Sequence, residues 1–174
     1  MLVIWSDGGD GRSKSSTNAV HFRQTSIMRK LAIVFLIFFA ANSARAQVKP
    51  TLNHIAIYVV DLQKSTVFYR DVIGIDTIPE PFHDNHHTWF RIGPLSHLHV
   101  ISGAAGPVVH DKNAHLCFRV DAVVPFTERL KKAGVSYEDW AGTKGAITTR
   151  VDGVKQIYFK DPDGYWLEVN DAKD

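Results

Sequence analysis

The sequence predicts a mixed α+β fold built from two consecutive βαβββ modules, and three observations carry that prediction. Stretches of strict apolar/polar alternation, the mark of half-buried strands, are interrupted by two runs at helical spacing. Both runs begin at an Asp and end at a Gly, and 74 − 61 and 134 − 121 give the same interval of 13 residues. The final hairpin of each half also matches the other without a gap, Trp89 to Val100 against Tyr158 to Val169.

The first 46 of the 174 residues stand apart from this pattern. Met28-Arg29-Lys30 is a short basic region, Leu31 to Ala41 an apolar run too short to span a bilayer, and Ala44-Arg45-Ala46 a small-x-small cleavage signal. These features predict a secretory signal peptide over 28–46, an exported protein beginning at Gln47, and a periplasmic or secreted location. Residues 1–27 read as a leader translated from a start placed too early, without order of its own. Removing 46 residues leaves 128, one domain or two small packed modules. The same removal takes away six basic and two acidic residues, so a formal charge of +2 becomes −2. No basic patch then remains for nucleic acid, and no segment for a membrane once the signal is cleaved. Cys117 is the single cysteine, unable to bridge within the chain, and reads as a small buried apolar residue.

In the first module, over 51–105, Asn53 to Val60 alternates as a strand with Ile55, Ile57 and Val59 on one face and His54, Ala56 and Tyr58 on the other. Asp61 is placed to cap a helix from Leu62 to Ile73, and Gly74 to end it. Strands follow at Ile75 to Ile78, His87 to Ile92 and Leu98 to Ser102. The second module, over 112–172, repeats this order: a strand at His115 to Val120, a helix capped by Asp121 and running to Ala133, then strands at Val135 to Glu138, Gln156 to Lys160 and Tyr165 to Asn170. Asp161-Pro162-Asp163-Gly164 supplies the last tight turn.

The repeat sets polar residues at matched strand positions. His54 corresponds to His115, and His99 to Glu168. Glu168 lies on a strand between Leu167 and Val169, where an ionised carboxylate is costly unless it is paired or bound to a cation, and imidazoles are natural companions for such a cation. Four metal-type ligands at two matched pairs of sites form a more specific signal than any of them alone.

The motifs Leu52-Asn53-His54-Ile55-Ala56, Asn113-Ala114-His115-Leu116 and Phe159-Lys160-Asp161-Pro162-Asp163-Gly164-Tyr165, leading into Leu167-Glu168, resemble the vicinal oxygen chelate superfamily over nearly the whole span after the signal. That resemblance implies paired βαβββ modules forming a curved mixed sheet around a divalent metal (Zn, Ni, Fe or Mn), with His54, His99, His115 and Glu168 as ligands. It implies a small-molecule substrate with vicinal oxygens, and a site assembled within one chain or across a homodimer. His99 departs from the Glu of glyoxalase I and the Gln of the epimerases, so the site would hold three neutral imidazoles and one carboxylate, leaving Glu168 as the base. The activity so implied is that of a glyoxalase-like or epimerase-like lyase or isomerase, with an extradiol-type dioxygenase or a fosfomycin/bleomycin-resistance-type binding protein as the alternatives.

Around these ligands, Trp89, Tyr158 and His97 are candidates for the substrate cleft, Trp89 and Tyr158 being equally readable as packing. His97 shares the face of His99 and competes with it as a ligand. Arg150, before the Asp152-Gly153 turn, reads either as the holder of an anionic substrate group or as a surface arginine. His83, His86 and His87 read as solvated loop residues.

Overall fold

Strand β1 (His54–Val59) buries Ile57 and Val59 and leaves His54, Ala56 and Tyr58 open, the alternation its sequence requires. The computed structural model describes residues 28–30 and 49–173; Thr51–Asp174 falls into one compact unit. The leader and most of the signal segment expected from the sequence lie outside the described residues.

Helix α1 (Leu62–Val67) is capped by Asp61, whose side chain accepts from the Lys64 amide. The single helix expected to run to Ile73 changes hydrogen-bonding pattern at Phe68 and continues as a π-helical segment, Phe68–Ile73. Phe68, Tyr69 and Ile73 are its buried residues, and the wider winding turns all three toward the core. Gly74 ends the segment at φ 88°, a left-handed position that suits glycine. Strands β2 (Thr77–Ile78), β3 (His87–Arg91) and β4 (His97–Ser102) complete a sheet in the order β1-β4-β3-β2, with β1 and β4 parallel.

The second half follows the same plan through β5 (His115–Arg119), α2 (Val123–Lys132), β6 (Tyr137–Glu138), β7 (Thr148–Thr149), β8 (Lys155–Lys160) and β9 (Trp166–Asn170). Its sheet order is β5-β9-β8-β6, with β5 and β9 parallel and the short β7 also paired to β8. Two details differ from the sequence reading. Asp121 does not cap α2: Ala122 holds the cap position in extended backbone, one residue nearer the helix, and no side chain serves it. β7 was not anticipated, because two threonines are too short a run to show alternation.

The matched hairpins superimpose in register as well as in sequence. Trp89 faces His99 across β3 and β4, and Tyr158 faces Glu168 across β8 and β9. On the parallel side, Ala56 pairs with His99 and Cys117 with Glu168.

A single apolar core draws on both halves, including Val59, Phe90, Leu98, Leu130, Phe159 and Leu167. The two halves are also tied by buried polar contacts through the Asp161-Pro162-Asp163-Gly164 turn. Asp163 accepts from the Val60 amide and the Ser65 hydroxyl, each at 2.7 Å, and Asp161 accepts from the Tyr69 hydroxyl at 2.8 Å. Gly164 has φ 93°, and a Cβ there would meet the Val108 carbonyl oxygen at 2.9 Å, so both backbone and neighbour demand glycine.

Candidate metal half-sites and family membership

Glu168 sits on the polar face of β9, 7 % exposed, in a ring of donors. Tyr158 donates its hydroxyl to Oε2 at 2.7 Å and receives a bond from Gln156 at the same distance. Asn170 donates to Oε1 at 2.8 Å, and the Cys117 thiol reaches the same oxygen at 3.4 Å. Burial works to raise the carboxyl, but these hydrogen bonds and the His115 ring outweigh it and hold the group below its ordinary value. Glu168 is therefore an anion in the resting site.

His115 adds the feature that bears on a metal. Its Nδ1 lies 2.6 Å from the Lys112 carbonyl oxygen, which can only accept, so Nδ1 carries the proton and Nε2 is left with its lone pair. That Nε2 stands 3.2 Å from Glu168 Oε2. Two lone pairs aimed at each other repel unless the ring takes a second proton or a cation lies between them. Ligands about 2.1 Å from one ion stand about 3.0 Å apart at a right angle and about 3.4 Å apart at the tetrahedral angle. The observed spacing falls between these limits, and the carbonyl behind Nδ1 is the usual support of a ligating imidazole.

The first sheet carries the counterpart. His54 Nδ1 is bonded to the Asn53 side-chain oxygen at 2.8 Å, again freeing Nε2. His54 stacks on His99 with ring centroids 4.3 Å apart, and His99 stacks on Trp89 at 3.9 Å. Enclosure, with His54 and His97 nearby, pushes the His99 imidazole below its ordinary value, toward the neutral form a ligand requires. Its Nε2 is shielded from solvent with no hydrogen-bond partner, as is Trp89 Nε1. The Trp89 indole can only donate, whereas the His99 nitrogen, with no hydrogen bond to fix its proton, is free to offer a lone pair.

The four expected ligands thus come together as two pairs, His54 with His99 on one sheet and His115 with Glu168 on the other. No three of their ligating atoms lie within 4.8 Å of one another; among the described residues only Glu80, Asp84 and His87 form such a group. Those carboxylates are engaged in closing their own loop: Glu80 accepts from the Phe82 and His83 amides, and Asp84 from the His86 amide and His87 Nδ1.

Tyr158 is bonded to Glu168, as described, and Trp89 stacks on His99, with the His97 ring centroid 6.3 Å from the indole and 6.2 Å from the His99 ring. Arg150 pairs with Asp152 at 2.6 Å and remains half-exposed, close enough for its charge to act on the Cys117 thiol. Cys117 itself corrects the sequence reading. It is exposed, because alternation places it on the same face as His115, and it also receives a bond from Asn170 at 3.2 Å. Asn170, Gln156 and the Lys112 carbonyl were missed. The first two were recoverable, each lying two positions along a strand from a residue already singled out.

The family model of the Glyoxalase/Bleomycin resistance protein/Dioxygenase superfamily matches residues 51–169. The chain belongs to this superfamily. It is 28% identical over 161 residues to lactoylglutathione lyase of Pseudomonas putida, covering 74% of this chain and 88% of that protein. It is 33% identical over 93 residues to mitochondrial methylmalonyl-CoA epimerase of Mus musculus, 47% and 52% of the respective lengths. Among solved structures it resembles oxidase ChaP-H2 with a TM-score of 0.61 at 23% identity, covering 72% of this chain and 96% of that one, a likeness of fold.

Proposed function

We propose that this chain is a metal-dependent lyase or isomerase of the superfamily that moves a proton next to a carbonyl in a small substrate bearing vicinal oxygens. The observation that carries the reading is the His115–Glu168 pair, two lone-pair donors 3.2 Å apart with the imidazole proton fixed on Nδ1. The shielded His99 Nε2 on the matched strand supports it. His54, His99, His115 and Glu168 would hold the ion, and the separation of the two pairs supports a site completed between two copies of the chain. A divalent ion so held would polarise the substrate oxygens and offset the negative charge that develops on them.

The remaining chemistry belongs to the chain. Glu168 is the carboxylate available to take the proton, and its hydrogen bonds make it a weak base at rest, so release of the Tyr158 bond is what raises its basicity. Tyr158 and Asn170 fix the plane of the carboxylate, and Trp89 with His99 walls the opposite half-site from water.

Two measurements test this. Metal analysis of the purified protein should find about one divalent ion per chain, reduced sharply in His115→Ala. Glu168→Gln should keep most of that metal while exchange of solvent deuterium into substrate falls by at least about a hundredfold. Turnover that requires dioxygen, or full activity in Glu168→Gln, would establish the oxygenase or binding alternative instead.

A further inference from the structure

A cavity of about 640 Å³ lies against β8, lined in part by Tyr158 and Trp166, so it adjoins the Glu168 half-site through the Tyr158 side chain. Its apolar lining includes Phe68, Tyr137 and Phe159, and three ammonium groups surround it: Lys64, Lys144 and Lys160. None of these lysines has a carboxylate partner among the described residues.

The two acids on the lining do not neutralise them. Glu138 is bound to Lys112. Asp161 is 6 % exposed, and its oxygens accept from the Tyr69 hydroxyl and the amides of Asp163 and Tyr165. Lys64, Lys144 and Lys160 are all exposed, and Lys160 is held against an aromatic wall of the cavity. Lys160 Nζ stands 4.6 Å from the Trp166 ring centroid, and Lys112 Nζ stands 4.7 Å from the same centroid. Lys112 is already paired with Glu138 and lies outside the lining, so the charge left without a partner is that of Lys64, Lys144 and Lys160, which an anion among them would offset.

We infer that this cavity binds an organic anion, its hydrocarbon or aromatic body on the half-buried Val135, Pro162 and Trp166 and its carboxylate or phosphate among Lys64, Lys144 and Lys160. The volume suits a ligand of small-molecule size. As part of a substrate site this rests on the metal-enzyme reading; as an anion site it stands independently.

The probes are 4-phenylbutyrate and its uncharged counterpart 4-phenylbutan-1-ol, titrated calorimetrically into the full chain with and without prior chelation. The acid should bind at least about tenfold more tightly than the alcohol, with or without metal, and added salt should narrow the gap. In Lys144→Ala/Lys160→Ala the preference should fall to within about threefold, while Lys132→Ala/Lys155→Ala, which removes two exposed lysines outside the cavity lining, should retain it. Equal binding of the two probes, no binding of the acid, or an unchanged preference in the cavity variant would overturn the inference. A preference seen only with metal present would also overturn it, since the carboxylate would then be held by the ion. Protein that carries no metal as purified, yet prefers the acid, would keep the anion site and remove the metal-enzyme reading.

Discussion

At the Cys117 sulfur the surroundings work against ionisation. Enclosure of the thiol and the adjacent Glu168 carboxylate push it up to about 12, although the residue as a whole is exposed. At pH 8 a free cysteine is about one quarter thiolate, and a thiol near 12 about one part in ten thousand. Reaction of Cys117 with a disulfide reagent at pH 8 should therefore run at least about a hundredfold slower than that of a free thiol, and Glu168→Gln should speed it by removing the neighbouring charge. Rapid labelling of the unmutated protein would contradict the hydrogen bond from Cys117 to Glu168. The same few ångströms show what a sequence can disclose about a site. Glu168 was legible because an acid between Leu167 and Val169 violates the apolar pattern, and because His99 stands at its matched position. The Lys112 carbonyl that fixes the His115 proton was not, since a backbone oxygen has no side-chain identity to read.

Among the elements, the turn between β8 and β9 holds more of the architecture than its length suggests. Asp163 is 5 % exposed and accepts both the Val60 amide and the Ser65 hydroxyl, tying the junction of β1 and α1 to the far hairpin. Asp163→Ala would leave the fully buried Ser65 hydroxyl without a partner, at about 1–3 kcal/mol, and would also remove the part-buried bond to the Val60 amide. Asp61→Ala removes only an exposed helix cap, worth about 1 kcal/mol. Chemical denaturation should accordingly place Asp163→Ala well below Asp61→Ala in stability, and equal losses would show that the turn is not the tie described here. Periodicity located most of these elements to within two residues, because one face of each strand is buried. It did not show the change of winding at Phe68, because the buried residues Phe68, Tyr69 and Ile73 fit one face of an ordinary helix as well. Nor did it reveal the cavity beside β8, whose lysines come from α1, β8 and the segment between β6 and β7, unrelated in sequence spacing.

For the molecule as a whole, the decisive arrangement is the division of four ligand-type side chains between two sheets. Duplication explains why each sheet carries a pair at the same register, but no periodicity within a module states which copy of the other module it will face. In the chain itself no three of the four ligating atoms approach within 4.8 Å. β1 and β5 are the edge strands of their sheets, and His54, Ala56 and Tyr58 on β1, with Cys117 and Arg119 on β5, leave much of their polar faces exposed. A second copy would supply each pair with its complement, giving two sites per dimer by symmetry. This can be separated from a single-chain site by complementation. His54→Ala/His99→Ala and His115→Ala/Glu168→Gln chains, each metal-poor alone, would form on co-expression a mixed dimer in which one site keeps all four ligands and the other keeps none. Tandem affinity purification of that species should return about one ion per two chains, half the unmutated ratio, together with a corresponding part of the activity. If the four ligands instead served one chain, every site in the mixed dimer would lack two of them, and neither metal nor turnover would recover even though both chains copurified and melted as folded proteins.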